Sequence, residues 1–450
     1  MRTARFIFLA IVTVFWIGFG CGGGGSKKDP APTPIISSFT ATDLMVTKGD
    51  GTSLKAVFQN GVGSINIIGS VQSGISVNTG AINSKTVFIL TVTNSDGVAT
   101  TSSVTVSTTP WKKLSALISG QRDRASAGLL SDGRVCISGG FSEGGNYIYN
   151  SIELFDPISL VYSSGGTMSA ATAYHKSIPT SDGKMLFVGG FRDVGFKTPV
   201  NSIQLYDPTT KTTQMLSQTL AQPRGFSACT KLANGKFLLS GGGSYIVGAT
   251  ASAELFDPST LVSTSIPGMS SPRYNHNSVL LADGRVLIAG GWNGSSPVAS
   301  CEIYNPATNT WSIGPTMPWS RTFPILVVLA DGKLLIAGGA YSPGDQSTAA
   351  LYDFSLNSWT TLPNMNTARS STNISNGAIS IDSNKILFTE NPGGHENEYF
   401  DTSTKAFTLI DGPMWYQSQM PIVIKLLDGR ILKAGGATAP YGETELFVGL

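Results

Sequence analysis

Short apolar runs separated by tight turns repeat along most of the chain. In one copy, the run 278–282 meets the turn Asp283-Gly284, and a second run, 285–289, ends in Gly290-Gly291. A variable loop follows, and a third run ends in Asn305-Pro306, since proline cannot extend a β-ladder. The pattern predicts antiparallel strands joined by hairpins, and therefore an all-β fold.

The same turns recur at a nearly constant interval. Six Asp-Gly or Asn-Gly turns are each followed, seven residues after the Asp or Asn, by a doubled glycine; the turns begin at Asp132, Asp182, Asn234, Asp283, Asp331 and Asp428. They lie 50, 52, 49, 48 and 97 residues apart, and the last interval spans two units, the first of which turns at Ser383-Asn384. This periodicity indicates a repeat architecture of seven units of about 49 residues between residues 109 and 450.

In four of the units a fourth run is marked by an aromatic residue seven positions after an aromatic residue of the third run. The pairs are Phe155 and Tyr162, Tyr304 and Trp311, Tyr352 and Trp359, and Phe400 and Phe407. Four short strands per unit, a doubled glycine and spaced aromatics resemble the kelch repeat, and seven such units imply a closed seven-bladed β-propeller. The resemblance covers about three quarters of the chain, and similar blades occur in the central domain of galactose oxidase.

The two ends of the repeat region are complementary. The last unit stops after its third run at residues 444–447, and no aromatic residue is left to mark a fourth strand. Trp111 lies before the first unit much as Trp311 and Trp359 lie before later ones. We therefore expect residues 111–114 to supply the missing fourth strand of the last unit and to close the ring.

The segment 35–108 is rich in Val, Ile, Thr and Ser and carries almost no charge. Residues 87–93 and 98–107 flank the turn sequence Asn94-Ser95-Asp96-Gly97 and predict a hairpin. This hairpin resembles the closing hairpin of bacterial immunoglobulin-like modules. The resemblance implies a small immunoglobulin-like β-sandwich that serves as a spacer or an adhesion module.

Residues 1–20 have the pattern of an export signal. Arg2 and Arg5 form a basic segment, and the apolar run 6–17 is too short to span a bilayer. The sequence Gly18-Phe19-Gly20-Cys21 resembles the bacterial lipoprotein box, which implies lipidation of Cys21 and, with Gly22 after it, the outer membrane of a bacterial cell envelope. Residues 21–34 are rich in Gly and Pro and predict a flexible tether.

The charge balance argues against a nucleic-acid partner. Lys and Arg number 30 and Asp and Glu 28, and loss of Arg2 and Arg5 with the leader makes the counts equal. Cys136, Cys229 and Cys301 form an odd set in three different repeats, so that no disulfide framework is implied.

Four arginines share one position, ten residues before the turn of their unit: Arg122, Arg224, Arg273 and Arg321. One interpretation is that they bind an anionic ligand, such as an acidic sugar or a carboxylate, near the mouth of the channel. The alternative is that these arginines belong to the kelch pattern and bind loop carbonyls. Function is expected on the face that carries the longer loops.

His175 and His276 each precede their turn by seven residues and are further candidate ligand contacts, although a structural role is the alternative. The sixth unit replaces its doubled glycine with Glu390-Asn391, and His395, Glu396 and Glu398 follow. This departure marks either a site, with Glu390 as candidate ligand contact, or a decayed repeat.

Tyr174-His175 resembles the tyrosine–histidine pair of galactose oxidase relatives, but a second His ligand and a crosslinked Cys–Tyr cofactor cannot be assigned. No catalytic set, metal site or cofactor is therefore predicted. We expect a membrane-anchored envelope protein that presents a kelch propeller as a binding platform for a glycan or a protein. The alternative is a carbohydrate-active enzyme on the same propeller, similar to galactose oxidase or to kelch-type sialic acid epimerases.

Overall fold

The computed structural model describes residues 29–114, 122–142, 147–341, 344–369, 377–389, 396–410, 412, 414, 421–436 and 444–450. Every helix or strand in these ranges is a β-strand, which confirms the all-β fold class. Across them, no helix is long and apolar enough to cross a membrane. The chain divides into two compact units, residues 1–111 and 112–450.

The described part of the first unit, from residue 29 onwards, contains eight strands: β1 (Ile35–Ala41), β2 (Met45–Thr47), β3 (Ser53–Gln59), β4 (Val62–Ile65), β5 (Gly69–Val71), β6 (Ser76–Asn78), β7 (Thr86–Thr93) and β8 (Ala99–Thr109). They form a three-stranded sheet, β1-β3-β6, and a five-stranded sheet, β2-β8-β7-β4-β5. The expected hairpin is β7 paired with β8. Alternate residues of β7, namely Phe88, Leu90 and Val92, join residues of β1 and β3 in one apolar core.

The second unit is built of four-stranded antiparallel sheets, numbered here in chain order. The strands of sheets 1 to 3 are β10 (Ser126–Leu129), β11 (Val135–Ser138), β14 (Ser151–Asp156) and β15 (Val161–Thr167); β16 (Lys176–Pro179), β17 (Met185–Val188), β18 (Ser202–Asp207) and β19 (Thr212–Thr219); and β20 (Ala228–Lys231), β21 (Phe237–Ser240), β24 (Ala253–Asp257) and β25 (Val262–Ile266). Two-stranded ribbons occupy the second-to-third loops of sheets 1 and 3: β12 (Phe141–Ser142) with β13 (Tyr147–Ile148), and β22 (Gly243–Ser244) with β23 (Gly248–Ala249).

Sheets 4 to 6 repeat this order. Their strands are β26 (Asn277–Leu280), β27 (Val286–Ala289), β28 (Cys301–Asn305) and β29 (Thr310–Ile313); β30 (Ile325–Val328), β31 (Leu334–Ala337), β34 (Ala349–Asp353) and β35 (Ser358–Thr361); and β36 (Ala378–Ser380), β37 (Lys385–Phe388), β38 (Glu398–Asp401) and β39 (Ala406–Leu409). A further ribbon pairs β32 (Ala340–Tyr341) with β33 (Gly344–Asp345). Sheet 7 consists of β40 (Ile422–Lys425), β41 (Ile431–Ala434), β42 (Thr444–Phe447) and β9 (Trp111–Lys113).

The last sheet packs on the first. The strand β9 lies beside β42, as the sequence predicts, and Leu114 N–H donates to the Thr444 carbonyl at 3.1 Å. Phe155 of sheet 1 and Leu432 of sheet 7 belong to one apolar cluster, and Tyr162 Oη lies 3.2 Å from Thr444 Oγ1. The first strands of most neighbouring sheets contact each other, including β10 with β40. This arrangement fits a closed β-propeller.

The spaced aromatics pack as cross-strand pairs within their sheets. Ring centroids are 5.1 Å apart in Tyr304–Trp311 and 4.9 Å apart in Tyr352–Trp359. Tyr304 belongs to a cluster that also contains Leu238 of sheet 3, so that an aromatic of one sheet packs on the previous sheet. These contacts bury the faces of neighbouring sheets against one another.

The doubled glycines are required by their backbone. Gly290 and Gly291 have φ values of 67° and 99°, which side chains rarely adopt. A Cβ on Gly290 would lie 2.6 Å from the Arg321 carbonyl oxygen, and one on Gly291 would lie 2.8 Å from that of Tyr274. The motif therefore brings the end of a second strand against the segments that enter two first strands.

Candidate functional site

The segments that enter the first strands lie beside the loops that leave the second strands. Isolated β-bridges join Asp123 to Phe141, Ala173 to Phe191, Tyr274 to Trp292 and Thr322 to Ala340. We call this end of the sheets the loop face. It carries all four arginines of the predicted ligand site.

A buried ion pair links an arginine of the loop face to a glutamate of the third strand in four sheets. Arg122 Nη2 lies 3.0 Å from Glu153, Arg273 Nη2 lies 2.9 Å from Glu302 and Arg369 Nε lies 2.9 Å from Glu398; Arg224 and Glu254 form the fourth pair. All of these side chains are buried. Burial lowers the pKa of Arg122 and Arg273, and the neighbouring glutamates act in the opposite direction.

The paired arginines also hold loop carbonyls. Arg273 Nη1 donates to the carbonyls of Gly290 at 3.0 Å and Ser300 at 2.9 Å. Arg224 donates to the equivalent carbonyls of Gly241 and Ser252. These contacts agree with the alternative given in the sequence analysis, in which the arginines belong to the kelch pattern and bind loop carbonyls. A ligand could reach Arg122, Arg224 or Arg273 only by displacing a carboxylate and carbonyl acceptors.

The glutamate partners are residues that the sequence reasoning did not single out. Glu302 follows Arg273 by 29 residues, and Glu398 follows Arg369 by the same interval. An acidic residue 29 to 31 positions after Arg122, Arg224, Arg273 and Arg369 was the available signal. The structure therefore adds a carboxylate to three of the four arginines that the sequence treated as free cations: Arg122, Arg224 and Arg273.

Sheet 2 has the same position without charges. Thr172 replaces the arginine and Gln204 replaces the glutamate. Gln204 Oε1 accepts from Ala170 N–H at 2.9 Å, and its amide donates to the Ala170 carbonyl at 3.1 Å. The two substitutions occur together, so that no charge is left buried without a partner.

Sheet 5 is different, because it retains the arginine and lacks the glutamate. Arg321 is 1% exposed, and the residue 29 positions later is Ala350. Arg321 Nη1 donates to the carbonyls of Gly338 and Thr348, and Nη2 donates to Thr348 Oγ1 at 2.9 Å. Burial lowers the pKa of Arg321 to about 10, with no opposing carboxylate.

His175 and His276 are buried links between sheets. His175 Nε2 lies 2.8 Å from Ser138 Oγ of sheet 1, and His276 Nε2 lies 3.1 Å from Ser240 Oγ of sheet 3. Burial lowers the pKa of His175 to about 3 and that of His276 well below its usual value. Both imidazoles are therefore neutral at neutral pH and act as uncharged hydrogen-bonding groups.

The candidate residues of unit six are only partly visible. Glu390 and His395 lie outside the described residues. Glu398 is paired with Arg369, and the carboxylate of Glu396 accepts from Thr367 Oγ1 at 3.4 Å. Within the residues that the structure describes, no three His, Cys, Asp or Glu side chains are grouped so that they could hold a metal ion.

An aromatic cluster covers the loop face of sheets 1 to 4. Its members are Phe141, Tyr174, Phe191, Phe196, Phe226, Tyr245 and Tyr274. Arg124 Nε donates to Tyr174 Oη at 2.9 Å, and its guanidinium lies 5.4 Å from the Phe196 ring. Tyr174, the residue that resembles the tyrosine of copper oxidases, is thus engaged by Arg124.

Five residues of the loop face adopt a left-handed backbone at equivalent positions. Arg124, Tyr174, Phe226, Asn275 and Phe323 have φ values between 50° and 57°. Asn275 N–H donates to the Phe226 carbonyl at 3.1 Å, and Phe323 N–H donates to the Asn275 carbonyl at 2.7 Å. Bulky residues rarely adopt this conformation, which is typical of functional sites.

A cavity of about 320 Å³ lies below this rim, between the first strands of sheets 1 to 4. Its lining includes Phe226 and Phe323 at the rim and Lys176, Asn277 and His276 deeper in. In the described ranges, the Lys176 ammonium has no carboxylate partner, and burial lowers its pKa. The loop face thus combines an aromatic rim with a polar interior.

The comparisons with known proteins support the repeat. Residues 272–318, which include all four strands of sheet 4 and the segment that enters it, match the family described as the Kelch motif. No curated protein matches the sequence of this chain. The motif match and the four-stranded sheets together fit a kelch-type β-propeller.

Proposed function

We propose that the second unit is a closed seven-bladed kelch propeller that serves as a binding platform, with its partner, a protein or a glycan, on the loop face. The observation that carries this proposal is an exposed apolar tip on the aromatic cluster. Tyr245, Ile246 and Val247 form the tip of the β22–β23 ribbon and are 65%, 68% and 70% exposed. Contiguous exposed apolar groups of this kind are typical of interaction sites.

The tip is held by packing rather than left in solvent alone. The Tyr245 ring lies 5.3 Å from Phe226 and 6.2 Å from Tyr274. The cluster therefore orients the tip before a partner arrives, which reduces the entropy that binding must offset. Two aliphatic side chains beside a tyrosine favour a protein partner over a glycan, because aliphatic groups offer a sugar no hydrogen bond.

The proposal includes the placement of the platform. The basic and apolar pattern before Cys21 supports export and lipidation at a bacterial outer membrane, and residues 35–108 are proposed as an immunoglobulin-like spacer. Labelling with a fatty acid probe tests this part. We expect incorporation in the wild type and none after Cys21→Ser.

The binding role is tested with Ile246→Ser. The full chain is immobilised, exposed to envelope extract, and the captured proteins are quantified by mass spectrometry. Ile313→Ser is the matched control, since Ile313 is also an exposed isoleucine of the second unit, at 88%, but lies at the end of a fourth strand.

We expect a partner that is captured by the wild type and by Ile313→Ser, and is lost with Ile246→Ser. Equal capture by all three chains would show that the tip is not the binding surface.

A further inference from the structure

Ala350 occupies the position of the glutamates in the paired sheets. Glu302 is opposite Ile288 on the second strand and Ile313 on the fourth. Ala350 is opposite Ile336 and Thr361 in the same register of sheet 5. The difference between sheets 4 and 5 is therefore the side chain and not the position of the backbone in the ladder.

Sheet 5 has also lost a donor that the glutamate would use. In sheets 3, 4 and 6, the residue three positions before the arginine donates its N–H to the carboxylate, at 2.7 Å from Ala221, 2.6 Å from Ser270 and 2.8 Å from Asn366. The equivalent residue is Pro318, which has no N–H. At this position the absence of glutamate therefore leaves no backbone N–H unpaired.

The guanidinium of Arg321 keeps donors that no described residue uses. Its Nη2 makes one contact, to Thr348 Oγ1, whereas Nη2 of Arg273 donates to both Ser300 Oγ and Glu302. In the paired sheets the carboxylate accepts from one of two guanidinium nitrogens, Nη2 in Arg273 and Nε in Arg369. Trp319 lies over the Arg321 guanidinium, with 5.1 Å from Cζ to the ring centroid.

A cavity of about 340 Å³ borders this arginine. It is lined by Trp319, Ser320, Arg321, Tyr341, Gln346 and Thr348 together with Pro318, and its lining contains no acidic residue. The volume is at the small end of ligand pockets. A guanidinium suits a carboxylate, aromatic rings suit the C–H face of a sugar, and hydroxyl and amide groups suit its hydroxyls.

We propose that this cavity binds an acidic sugar of monosaccharide size, a hexuronate, whose carboxylate binds Arg321 as Glu302 binds Arg273. The carboxylate accepts from Nη2, and the sugar ring lies between Trp319 and Tyr341. This site is separate from the Tyr245 tip, so that experiments can disprove hexuronate binding and partner binding independently of each other.

The test is isothermal titration calorimetry of the full chain with D-glucuronate and with D-glucose, which lacks the carboxylate. Ala350→Glu supplies the carboxylate from within the chain and should exclude the ligand. Thr360→Glu is the matched control, because it adds the same charge at an exposed residue of the neighbouring strand, opposite Leu351, whose side chain lies on the other face of the sheet from Ala350. Tyr341→Ala changes a half-exposed ring of the lining without altering the core.

We expect glucuronate to bind the wild type at least about tenfold more tightly than glucose, and Ala350→Glu to weaken glucuronate at least about tenfold. Thr360→Glu and Ile246→Ser should leave this affinity unchanged, and Tyr341→Ala should weaken it severalfold. Equal affinities for the two sugars, or glucuronate binding that is indifferent to Ala350→Glu, would overturn the proposal. If Ala350→Glu does not fold, the ratio of the two sugars and the Tyr341→Ala result decide.

Discussion

Sheets 4 and 5 share strands, register and a buried arginine, but they satisfy that arginine differently. In sheet 4, Arg273 has Glu302 at 2.9 Å and two loop carbonyls. In sheet 5, Arg321 donates to two loop carbonyls and to the Thr348 hydroxyl. It has no carboxylate partner among the described residues, and the Trp319 ring lies over its guanidinium. A repeat can therefore keep its fold while one copy exchanges an internal charge partner for a cavity.

The largest effect is expected when sheet 4 is made to resemble sheet 5. Glu302→Ala leaves Arg273 buried without its carboxylate, and Ser270 N–H without its acceptor. Breaking one side of a buried ion pair costs about 3–5 kcal/mol, so that urea unfolding should show a loss of this size.

The control variant introduces into sheet 4 the uncharged pair of residues that sheet 2 carries. Arg273→Thr combined with Glu302→Gln reproduces Thr172 and Gln204, and should recover most of the stability. Loss of stability in the double variant equal to that in Glu302→Ala would show that the charges themselves are not the cause.

A smaller effect is expected from pH, because His175 and His276 are buried neutral. Their folded-state pKa values lie below the unfolded value of 6.5, about 3 for His175, so the unfolded chain binds more protons in acid. Stability should therefore be complete above about pH 6.5 and fall as the pH decreases towards 3, by up to about 1.4 kcal/mol per pH unit for each imidazole.

Replacement of both histidines separates this contribution from the carboxylates. His175→Gln with His276→Gln can keep the hydrogen bonds to Ser138 and Ser240 without a titrating group. Urea midpoints measured between pH 4 and 7 should change less steeply in this variant. An unchanged slope would mean that the acid sensitivity lies in other groups.

The role of Trp319 is tested by a double-mutant cycle. Trp319→Ala removes the ring over Arg321 and should cost about 0.5–2 kcal/mol in the wild type. The same change in the Ala350→Glu background should cost less, since a carboxylate then accompanies Arg321. Equal costs in urea unfolding would indicate that Trp319 acts only through packing.

The smallest effect is expected at the other end of the sheets. Arg285 pairs with Asp283 at 2.7 Å on an exposed turn, where solvent screens the charges. Arg285→Met should leave the thermal midpoint unchanged within error. A clear decrease would mean that exposed and buried arginine pairs of this unit contribute alike.

Much of the fold could be read from local signals. The Asp-Gly turns, the doubled glycines and the aromatic spacing predicted the strands of each unit, because these residues meet backbone requirements at their own positions. The closing strand at 111–113 was also predicted, since one missing strand and one extra strand occur at opposite ends of the repeats.

The site was predicted less well. Arg122, Arg224, Arg273 and Arg321 are identical in sequence position, and only their surroundings separate three paired cations from one beside a cavity. The glutamate partner of each paired arginine lies about 30 residues further along the chain. Sequence spacing alone does not show that the two side chains are in contact, because the contact depends on how the third strand pairs with the second.

The sequence by itself determined the repeat, its strand order and its turns, because glycine, proline and Asx residues act through the local backbone. The tertiary structure alone decided which charges are compensated, because burial and pairing depend on side chains that the ladder register brings together. Ala350 is an ordinary strand residue in the sequence, and only the fold places it where other sheets carry the carboxylate for their arginine.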